Sequence, residues 1–521
     1  MTDPASRSPP APEPLQGLQL ILGTLALSLA TFMNVLDTSI ANVSLTAIAG
    51  DLAVSPNQGT WVITSFAVAN AISVPLTGWL TQRVGQVRLF TSSVLLFVIS
   101  SWLCGLAPNL ESLIAFRVLQ GAVAGPMIPL SQALLLSSYP RHKAGTALGM
   151  WSLTTLVAPV AGPLLGGWIT DHISWPWIFY INIPVGLFAA ALTWSIYRER
   201  ESAVLRRPID AIGLALLVLW VGATQLMLDK GKELDWFESG WIVGLAAVAA
   251  VSFVVFLIWE LTEAHPVVDI RLFARRNFLV GTIMLSLGFG LFFGNVVLLP
   301  LWLQQTMGYT ATQAGLALAP VGLLAIVLTP LVGRNLHKVD LRILSSLSFG
   351  VFALVLGLRA QFNTQADFTT IMIPTILQGV AMACFFIPLV SLTLSGLGPE
   401  RIPAASGLSN FVRITAGAVG TSVATTLWDD RGALHHAQLS EQITQASAAT
   451  ASALAGLRAQ GFSVDQALAQ INRLVDQQAM TLSATEVYWI SAILFLVMGV
   501  LVWFARPAPA QHGAADAGGA H

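Results

Sequence analysis

Residues 240–259 read GWIVGLAAVAAVSFVVFLIW, a run of 20 residues without a charged side chain. A helix of about 20 apolar residues crosses the ~30 Å hydrocarbon core of a bilayer. Because no water is present there, only helices and closed barrels satisfy the backbone. The chain contains fourteen such runs, which predicts an all-α membrane protein with 14 transmembrane helices. We number them spans 1–14, near residues 18–41, 58–80, 89–107, 111–136, 145–168, 177–197, 209–228, 240–260, 278–303, 313–333, 342–359, 370–396, 404–428 and 485–505.

The composition agrees with this class. Hydrophobic residues make up 55% of the chain and charged residues 10%, against about 25% charged in soluble proteins. The net charge of -1 and the lack of a basic stripe give no indication of a nucleic-acid partner. The two cysteines, Cys104 and Cys384, lie in apolar runs, and no Cys/His spacing indicates a metal site. We therefore expect no cofactor, and the absence of a nucleophile–base constellation predicts that the chain is not an enzyme.

The basic residues of the loops predict the orientation. Those of the even-numbered loops are Arg83, Arg88, Arg141, Lys143, the arginines between 198 and 207, Arg271, Arg275, Arg276, Arg334, Lys338, Arg342 and Arg401. Those of the odd-numbered loops are Lys230, Lys232, Arg359, Arg431, Arg458 and Arg473. Lys/Arg excess marks cytoplasmic loops, so both termini are expected in the cytoplasm. Residues 1–17 carry no clear cleavage site and form a cytoplasmic segment, and 506–521 form a disordered tail.

Two short motifs recur along the chain. Pro75-Leu76-Thr77-Gly78, followed by Arg83-Val84, returns as Pro330-Leu331-Val332-Gly333, followed by Lys338-Val339. Leu119-Gln120-Gly121 before Ile128-Pro129-Leu130 returns as Leu377-Gln378-Gly379 before Ile387-Pro388-Leu389. Span 2 thus matches span 10, and span 4 matches span 12. The repeat predicts two six-helix halves, 18–197 and 278–505, with two inserted helices within 198–277. Such halves around a central site are typical of secondary transporters.

The strongest local signal is a buried acid. Asp37 lies inside span 1 on a small, polar stripe with Asn34, Thr38, Ala41 and Asn42, which share one helix face. Charged residues inside a membrane are costly and usually face a cavity or a partner. Asp37 is either a group that takes up and releases a proton or a hydrogen-bonding group near the outer end of its helix.

A buried base accompanies it. Arg117 in span 4 shares a face with Gln120, and because arginine stays charged when buried, it could tune the pKa of a nearby carboxylate. Alternatively it pairs with the outer end of the span. The matching residue of the second half is Thr375. Arg413 in span 13 is the other deep charge, with a backbone or carboxylate partner expected. Asn34, Gln120 and Gln378 are predicted polar groups of a mostly apolar substrate cavity.

Two further segments have candidate roles in conformational change. Span 5 carries a face of small residues that either packs statically or serves as a pivot between the halves; its residues are Ala158, Gly162, Pro163, Gly166 and Gly167. The loop after span 2 is either a plain topogenic loop or a cytoplasmic gate; its candidate residues are Gly78, Arg83, Gly85 and Arg88. Gly85 suits a tight turn.

The outside loop 429–484 is the one sizeable soluble segment. Its apolar residues have partly helical spacing, for example Leu454 with Leu457, and Leu468 with Ile471 and Val475. This pattern predicts one or two amphipathic helices. They either cap the protein or form a docking surface for a partner.

Together these motifs resemble the major facilitator superfamily. The loop from Gly78 to Arg88 is similar to its G-x-L-a-D-r-x-G-r signature, with Gln82 in place of the aspartate. Span 5 resembles the G-x-x-x-G-P-x-x-G-G element of drug/proton exchangers, and 36–43 (LDTSIANV) resembles the L-D-x-T-I-x-N-V signature of the 14-span drug/proton branch.

The resemblance implies a function and partners. It implies a proton-driven exporter of hydrophobic toxic compounds in the inner membrane of Gram-negative bacteria. It also implies a periplasmic membrane-fusion adaptor and an outer-membrane channel as partners, and it links the span 4 element around Arg117 to proton coupling. A dedicated exporter of one metabolite or siderophore needs the same proton machinery and remains the alternative. A non-transporting scaffold would need neither the buried acid and base nor the duplicated halves.

Overall fold

Helices form the whole architecture of the part that can be described. The structure is a computed structural model that describes residues 13–140, 143–204, 210–318, 320–444 and 447–506, and no strand occurs within these ranges. The all-α prediction is therefore confirmed for them. Residues 1–12 of the expected N-terminal segment and residues 507–521 of the expected tail lie outside the described residues.

A helix stands at each predicted span. Those of the first half are Gly17–Val43, Trp61–Ser73 with Thr77–Val84, Gln86–Gly105, Leu110–Ala124 with Met127–Ser138, Ala144–His172 and Asn182–Tyr197. The inserted pair is Ala211–Lys230 and Gly240–Thr262. Those of the second half are Arg276–Gln305, Ala311–Leu318 with Pro320–Asn335, Leu341–Arg359, Phe368–Ala383 with Phe386–Leu394, Ile402–Glu441 and Val464–Leu501.

The number of helices is consistent with fourteen spans. Eleven helical segments of the described residues are long and apolar enough to cross a membrane, and the bent span 2 makes twelve. Spans 5 and 13 are continuous helices of 29 and 40 residues, which exceed the length that a bilayer requires.

Span 2 is bent by 64° between Ser73 and Thr77. Pro75 lies in this break, where it cannot donate a backbone hydrogen bond, so the helix is interrupted. After the break, the Thr77 hydroxyl donates to the Val74 carbonyl at 2.6 Å. The bend directs the second part of span 2 towards the other half of the molecule.

Each half has its own apolar core. In the first half, Phe66, Phe90 and Phe97 pack with Trp151 in one cluster. In the second half, the aromatic rings of Phe349, Phe352, Phe385 and Phe495 pack face to face or edge to face. A third cluster joins span 2 (Val74) and span 13 (Phe411) to the inserted helices through Leu217 and Phe256.

The inserted pair thus lies along the seam between the halves, and polar contacts reinforce it. Thr64 of span 2 donates to Asp229 of span 7. On the other side, Ser422 of span 13 donates to the Leu228 carbonyl at 3.2 Å. The Trp236 indole donates to Thr426 at 3.1 Å. The insert therefore contacts both halves near one end of the helices.

The predicted outside loop is a helical hairpin. Span 13 continues to Glu441 and span 14 begins at Val464, with a short helix, Ala448–Ala459, between them. The helices that contain spans 13 and 14 thus continue beyond the predicted spans, which end at 428 and begin at 485. Gln477 anchors the hairpin base by donating to the Thr306 carbonyl at 2.7 Å. We call residues 429–484 the outer hairpin.

Candidate functional site

Asp37 and Arg117 form a buried ion pair. Arg117 Nη1 lies 2.6 Å from Asp37 Oδ2, and the side chains of Asp37 and Arg117 are 0% and 1% exposed. Span 1 supplies the acid and span 4 the base. A buried pair is stable only when its remaining hydrogen-bonding groups are also satisfied, because desolvation is costly.

Neutral groups complete the coordination of both charges. Asp37 Oδ1 accepts from Gln120 Nε2 at 3.0 Å and from Asn182 Nδ2 at 2.8 Å. Arg117 donates to Gln120 Oε1 at 2.7 Å and, through Nε, to the Val62 carbonyl at 3.0 Å. The site therefore draws on spans 1, 2, 4 and 6. Gln120 Nε2 also donates to Ser101 Oγ of span 3 at 2.8 Å. We call all these residues the acid–base cluster.

Aromatic rings close the acid–base cluster. Phe66 lies 4.3 Å from the Arg117 guanidinium and Phe179 lies 5.5 Å from it, measured to the ring centroids. Both rings are buried and attract the cation through their π faces.

The second half has a related cluster that sequence reasoning missed. Arg359 is 0% exposed and donates from Nη2 to Gln378 Oε1 at 2.7 Å and to Thr375 Oγ1 at 3.2 Å. The sequence places Arg359 in an outside loop because it ends an apolar run, but it is the last residue of span 11. The sequence spacing could have revealed it. Arg359 precedes Gln378 by 19 residues, as Ser101 precedes Gln120, so the two pairs occupy equivalent places in the repeat.

The three predicted cavity residues all lie inside a half. Asn34 donates to the Ala124 carbonyl at 3.2 Å, Gln120 belongs to the acid–base cluster, and Gln378 binds Arg359. Each is at most 2% exposed. Their role in a substrate cavity stays a prediction, since all three already have partners within their own half.

Close approaches between the halves lie at the ends predicted to be cytoplasmic. A Cβ atom at Gly78 of span 2 would lie 2.6 Å from Ala404 Cβ at the start of span 13. A Cβ atom at Gly333 of span 10 would lie 2.5 Å from the Gly145 carbonyl oxygen at the start of span 5. Gly78 and Gly333 occupy the same place in the repeated motif. The two halves are therefore in contact at this end through equivalent glycines.

Comparison with known proteins identifies the family of this two-half fold. Residues 27–421 match the Major Facilitator Superfamily. The chain belongs to the major facilitator superfamily. Membership makes it a multi-pass membrane transporter rather than an enzyme.

Individual relatives are similar over nearly the whole chain. The Multidrug export protein EmrB of Haemophilus influenzae is 53% identical, covering 95% of this chain and 97% of the relative. The Fatty acid resistance protein FarB of Neisseria gonorrhoeae is 51% identical, covering 95% and 97%. The structure of the proton:xylose symporter XylE has a TM-score of 0.57 at 15% identity, covering 93% and 95%, and supports the fold alone. The chain is thus similar to multidrug exporters of this superfamily.

Within this transporter, the small face of span 5 packs on span 1. A Cβ atom at Gly162 would lie 2.5 Å from Ser39, and one at Gly166 would lie 2.7 Å from Ile40. Ala158 is buried and Gly167 half-buried; the Pro163 side chain lies outside the described residues. Span 5 thus contacts the helix that carries Asp37 and, at Gly145, the other half. Its role as a pivot stays a prediction.

The loop after span 2 obtains its carboxylate from elsewhere in the chain. Gly85 has a φ of 99°, which suits glycine. Glu201 accepts from the backbone N–H of Val87 at 3.0 Å and of Arg88 at 2.9 Å, at the start of span 3. Negative charge is favourable at a helix N-terminus. Glu201 therefore supplies an acid to the loop in which Gln82 replaces the signature aspartate, whereas Arg83 stacks over Trp79.

Arg413 makes neither of the expected contacts. Its Nη2 donates to the side-chain oxygen of Asn410 at 2.8 Å, not to backbone or carboxylate. None of the ion pairs among the described residues involves Arg413 or Arg359.

Proposed function

We propose that the protein exports hydrophobic toxic compounds in exchange for protons, by alternating access of a site between its halves. The observation that carries this proposal is the buried Asp37–Arg117 pair. A carboxylate with no exposed surface and a permanent cation at 2.6 Å changes its interaction energy greatly on protonation. The similarity to multidrug exporters supports export as the direction.

Protonation of Asp37 would remove half of the ion pair. Arg117 stays charged, so it would keep Gln120 Oε1 and the Val62 carbonyl but lose its counter-ion. An unpaired buried cation is unfavourable by several kcal/mol. The protonated state therefore favours a rearrangement of spans 1, 2, 4 and 6, in which Arg117 finds another acceptor or solvent.

Span 5 offers a route from this site to the seam between the halves. It is one continuous helix from Ala144 to His172. Gly162 and Gly166 hold it against span 1 near Asp37, and Gly145 lies against span 10. A shift of span 1 on protonation would move span 5 and alter the Gly145–Gly333 contact.

We further propose that both termini are cytoplasmic and that the protein is the inner-membrane part of a tripartite pump. The charge of the even-numbered loops supports this orientation. With it, the outer hairpin projects on the side where a periplasmic adaptor and an outer-membrane channel would assemble. Its exposed apolar side chains, including Leu434, Val464 and Leu468, are suited to a protein partner.

The test of coupling is transport by the purified protein in vesicles. A pH gradient is imposed without a membrane potential, and accumulation of a fluorescent hydrophobic drug is followed. Accumulation should require an acidic lumen, and the lumen should become more alkaline as the drug enters, because protons leave in exchange for it. Transport that proceeds equally well without a gradient, with no proton movement, would refute the proposal.

One observation favours a narrower substrate range as a second candidate. The relative from Neisseria gonorrhoeae, similar at 51% identity, is named for fatty acid resistance. A dedicated exporter of one such metabolite would have the same acid–base cluster. A panel of unrelated toxic compounds in a susceptible strain separates the two, because only the multidrug exporter should protect against several chemical classes.

A further inference from the structure

A small cavity lies between the halves at the buried end of Arg413. Its volume is about 10 Å³, room for roughly one water molecule. Both halves line it: Gln132 and Trp151 come from the first half, and Phe386, Asn410 and Arg413 come from the second. The acid–base cluster contributes no side chain to this lining.

Arg413 brings an uncompensated charge to this cavity. The side chain is 4% exposed, and its guanidinium carbon lies 4.5 Å from the Phe289 ring centroid and 5.6 Å from that of Phe386. Its Nε has no hydrogen-bond partner among the described residues. Buried arginines in membrane proteins normally pair with an anion or a carbonyl. This one has an amide oxygen, two aromatic faces and a free donor.

The partner of Arg413 also links the two halves. Asn410 accepts from Arg413, and its Nδ2 lies 3.4 Å from Gln132 Oε1 on span 4. Ser406, one turn earlier on span 13, donates to the same Gln132 oxygen. These bonds cross the seam in the conformation where Gly145 meets Gly333. The surroundings of the Arg413 guanidinium must therefore change when the halves separate and these bonds break.

We propose that Arg413 binds the anionic group of amphiphilic substrates, whose apolar body lies against Phe289, Phe386 and Trp151. Opening of the seam would enlarge the cavity and expose the guanidinium. A carboxylate or similar group would then accept from Nε and from the Nη2 now bound to Asn410. Arginine suits this role because its planar donors fit a carboxylate in two-point contact. Apolar surface beside one charged group is typical of a ligand pocket.

This inference rests on the proposed export function but concerns substrate selection, not proton coupling. In the acid–base cluster the cation is already neutralised by Asp37, and Arg359 of the second half lies among Gln378 and Thr375 rather than at the cavity. Arg413 is thus the buried cation, among the described residues, that lines a space shared by both halves.

The test compares two probes that share the same apolar pyrene group and differ only in whether they carry a negative charge. Binding of 4-(1-pyrenyl)butanoate and of its uncharged amide is measured on the full-length protein in lipid nanodiscs, with empty nanodiscs as the partition control. In the Arg413→Gln protein the carboxylate should bind about tenfold more weakly or worse, as expected for loss of a hydrogen bond to a charged group. Binding of the amide should stay within about twofold of wild type.

Two variants control the test. Arg413→Lys keeps the charge but loses the two-point contact, so its preference for the carboxylate should lie between that of the wild type and that of Arg413→Gln. Arg401→Gln, an exposed arginine at the start of span 13, should change neither probe. Equal weakening of both probes in Arg413→Gln, no weakening of either, or a Lys variant as weak as the Gln variant would overturn the proposal. A wild-type protein that binds the carboxylate selectively but shows no gradient-driven transport would instead count against the export function alone.

Discussion

Arg117 and Arg359 show how the two halves use charge differently beside equivalent glutamines, Gln120 and Gln378. The first half places Arg117 on span 4 and neutralises it with Asp37 on span 1. In the second half, Thr375 takes the place of Arg117, and the cation comes from Arg359 on span 11. No ion pair among the described residues neutralises it. The backbone repeat is thus symmetric, whereas proton binding is expected in the first half only.

Asp37→Asn should abolish gradient-driven transport, because it removes the titratable group while preserving size and polarity. It also leaves Arg117 buried without a counter-ion, which we expect to destabilise the protein by about 3–5 kcal/mol. Transport into vesicles is the measurement, with drug counterflow at equal pH as a check that the variant still binds and exchanges. Glu199→Gln, at an 86% exposed carboxylate, is the matched control. Gradient-driven uptake at the wild-type rate in the Asn variant would show that Asp37 is not the coupling group.

Arg117→Lys should reduce transport about tenfold or more. An ammonium group cannot reproduce the fork that reaches Asp37, Gln120 and the Val62 carbonyl at once. Loss of one hydrogen bond to a charged group amounts to about 1.5–3 kcal/mol. The comparison is Arg198→Lys, whose side chain is 59% exposed and should tolerate the change. Similar mild losses in both variants would remove any special role from Arg117.

Part of this site was accessible from the sequence. An acid inside span 1 and an arginine inside span 4 stand out because charge is rare in such runs. Asn182, Ser101 and the Val62 carbonyl could not be predicted, since polar side chains near span ends are common and carbonyls carry no sequence signal. Their roles depend on how spans 2, 3 and 6 are positioned in space.

At the scale of helices, the repeated Pro-Leu-x-Gly motif acquires a structural meaning. In each half the proline precedes a glycine by three residues, and the glycine touches the opposite half. Gly78 meets Ala404 of span 13, and Gly333 meets Gly145 of span 5. Span 2 corresponds to span 10, and span 5 corresponds to span 13, so the two contacts are related by the internal repeat. The motif therefore marks the seam twice.

Gly333→Ala should hold the seam open. The added methyl group would lie 2.5 Å from the Gly145 carbonyl oxygen, so spans 5 and 10 must separate. Ser409 is buried and lines the cavity between the halves, so a cysteine there should become accessible as the seam opens. We expect faster labelling of a Ser409→Cys reporter by a membrane-impermeant maleimide applied from the cytoplasmic side.

Gly322→Ala on the same span is the control, since no atom lies within 4 Å of the place that its added methyl group would occupy. Both changes raise helix propensity by about 1 kcal/mol, so this effect cancels in the comparison. Identical labelling rates in the two variants would mean that the Gly145–Gly333 contact does not close the seam.

The positions of the helices could be predicted, but several of their ends could not. The length of an apolar run determines where the chain can cross the bilayer. The predicted spans therefore each coincide with a helix. It contains no information about how far a helix continues beyond its apolar run. The sequence therefore predicted helices within 429–484, but not that they are continuous with spans 13 and 14. The 64° bend of span 2 has a visible cause in Pro75, although its direction depends on packing.

For the whole molecule, we expect the outer hairpin to serve assembly with a partner and not transport itself. Replacing residues 437–472 by a Gly/Ser linker keeps the base contacts of Arg431, Glu486 and Gln477. Transport in vesicles should be nearly unchanged. Adaptor co-purification should weaken, and resistance of intact cells should fall, because exported drug would remain free to re-enter from the periplasm.

The length-matched control exchanges the exposed polar residues of 437–472 but keeps its apolar ones. Full resistance and full adaptor binding by the shortened protein would make the hairpin a cap.

Span 13 runs without interruption from Ile402 at the seam to Glu441 in the outer hairpin. At 1.5 Å per residue, the part beyond residue 428 extends about 20 Å. A single continuous helix thus joins Ala404, which touches Gly78, to the outer hairpin. If this helix tilts as the seam opens, its far end must move sideways by more than its end at the seam, because the displacement grows with distance from the pivot. A protein bound to the hairpin would therefore be displaced mechanically in each transport cycle.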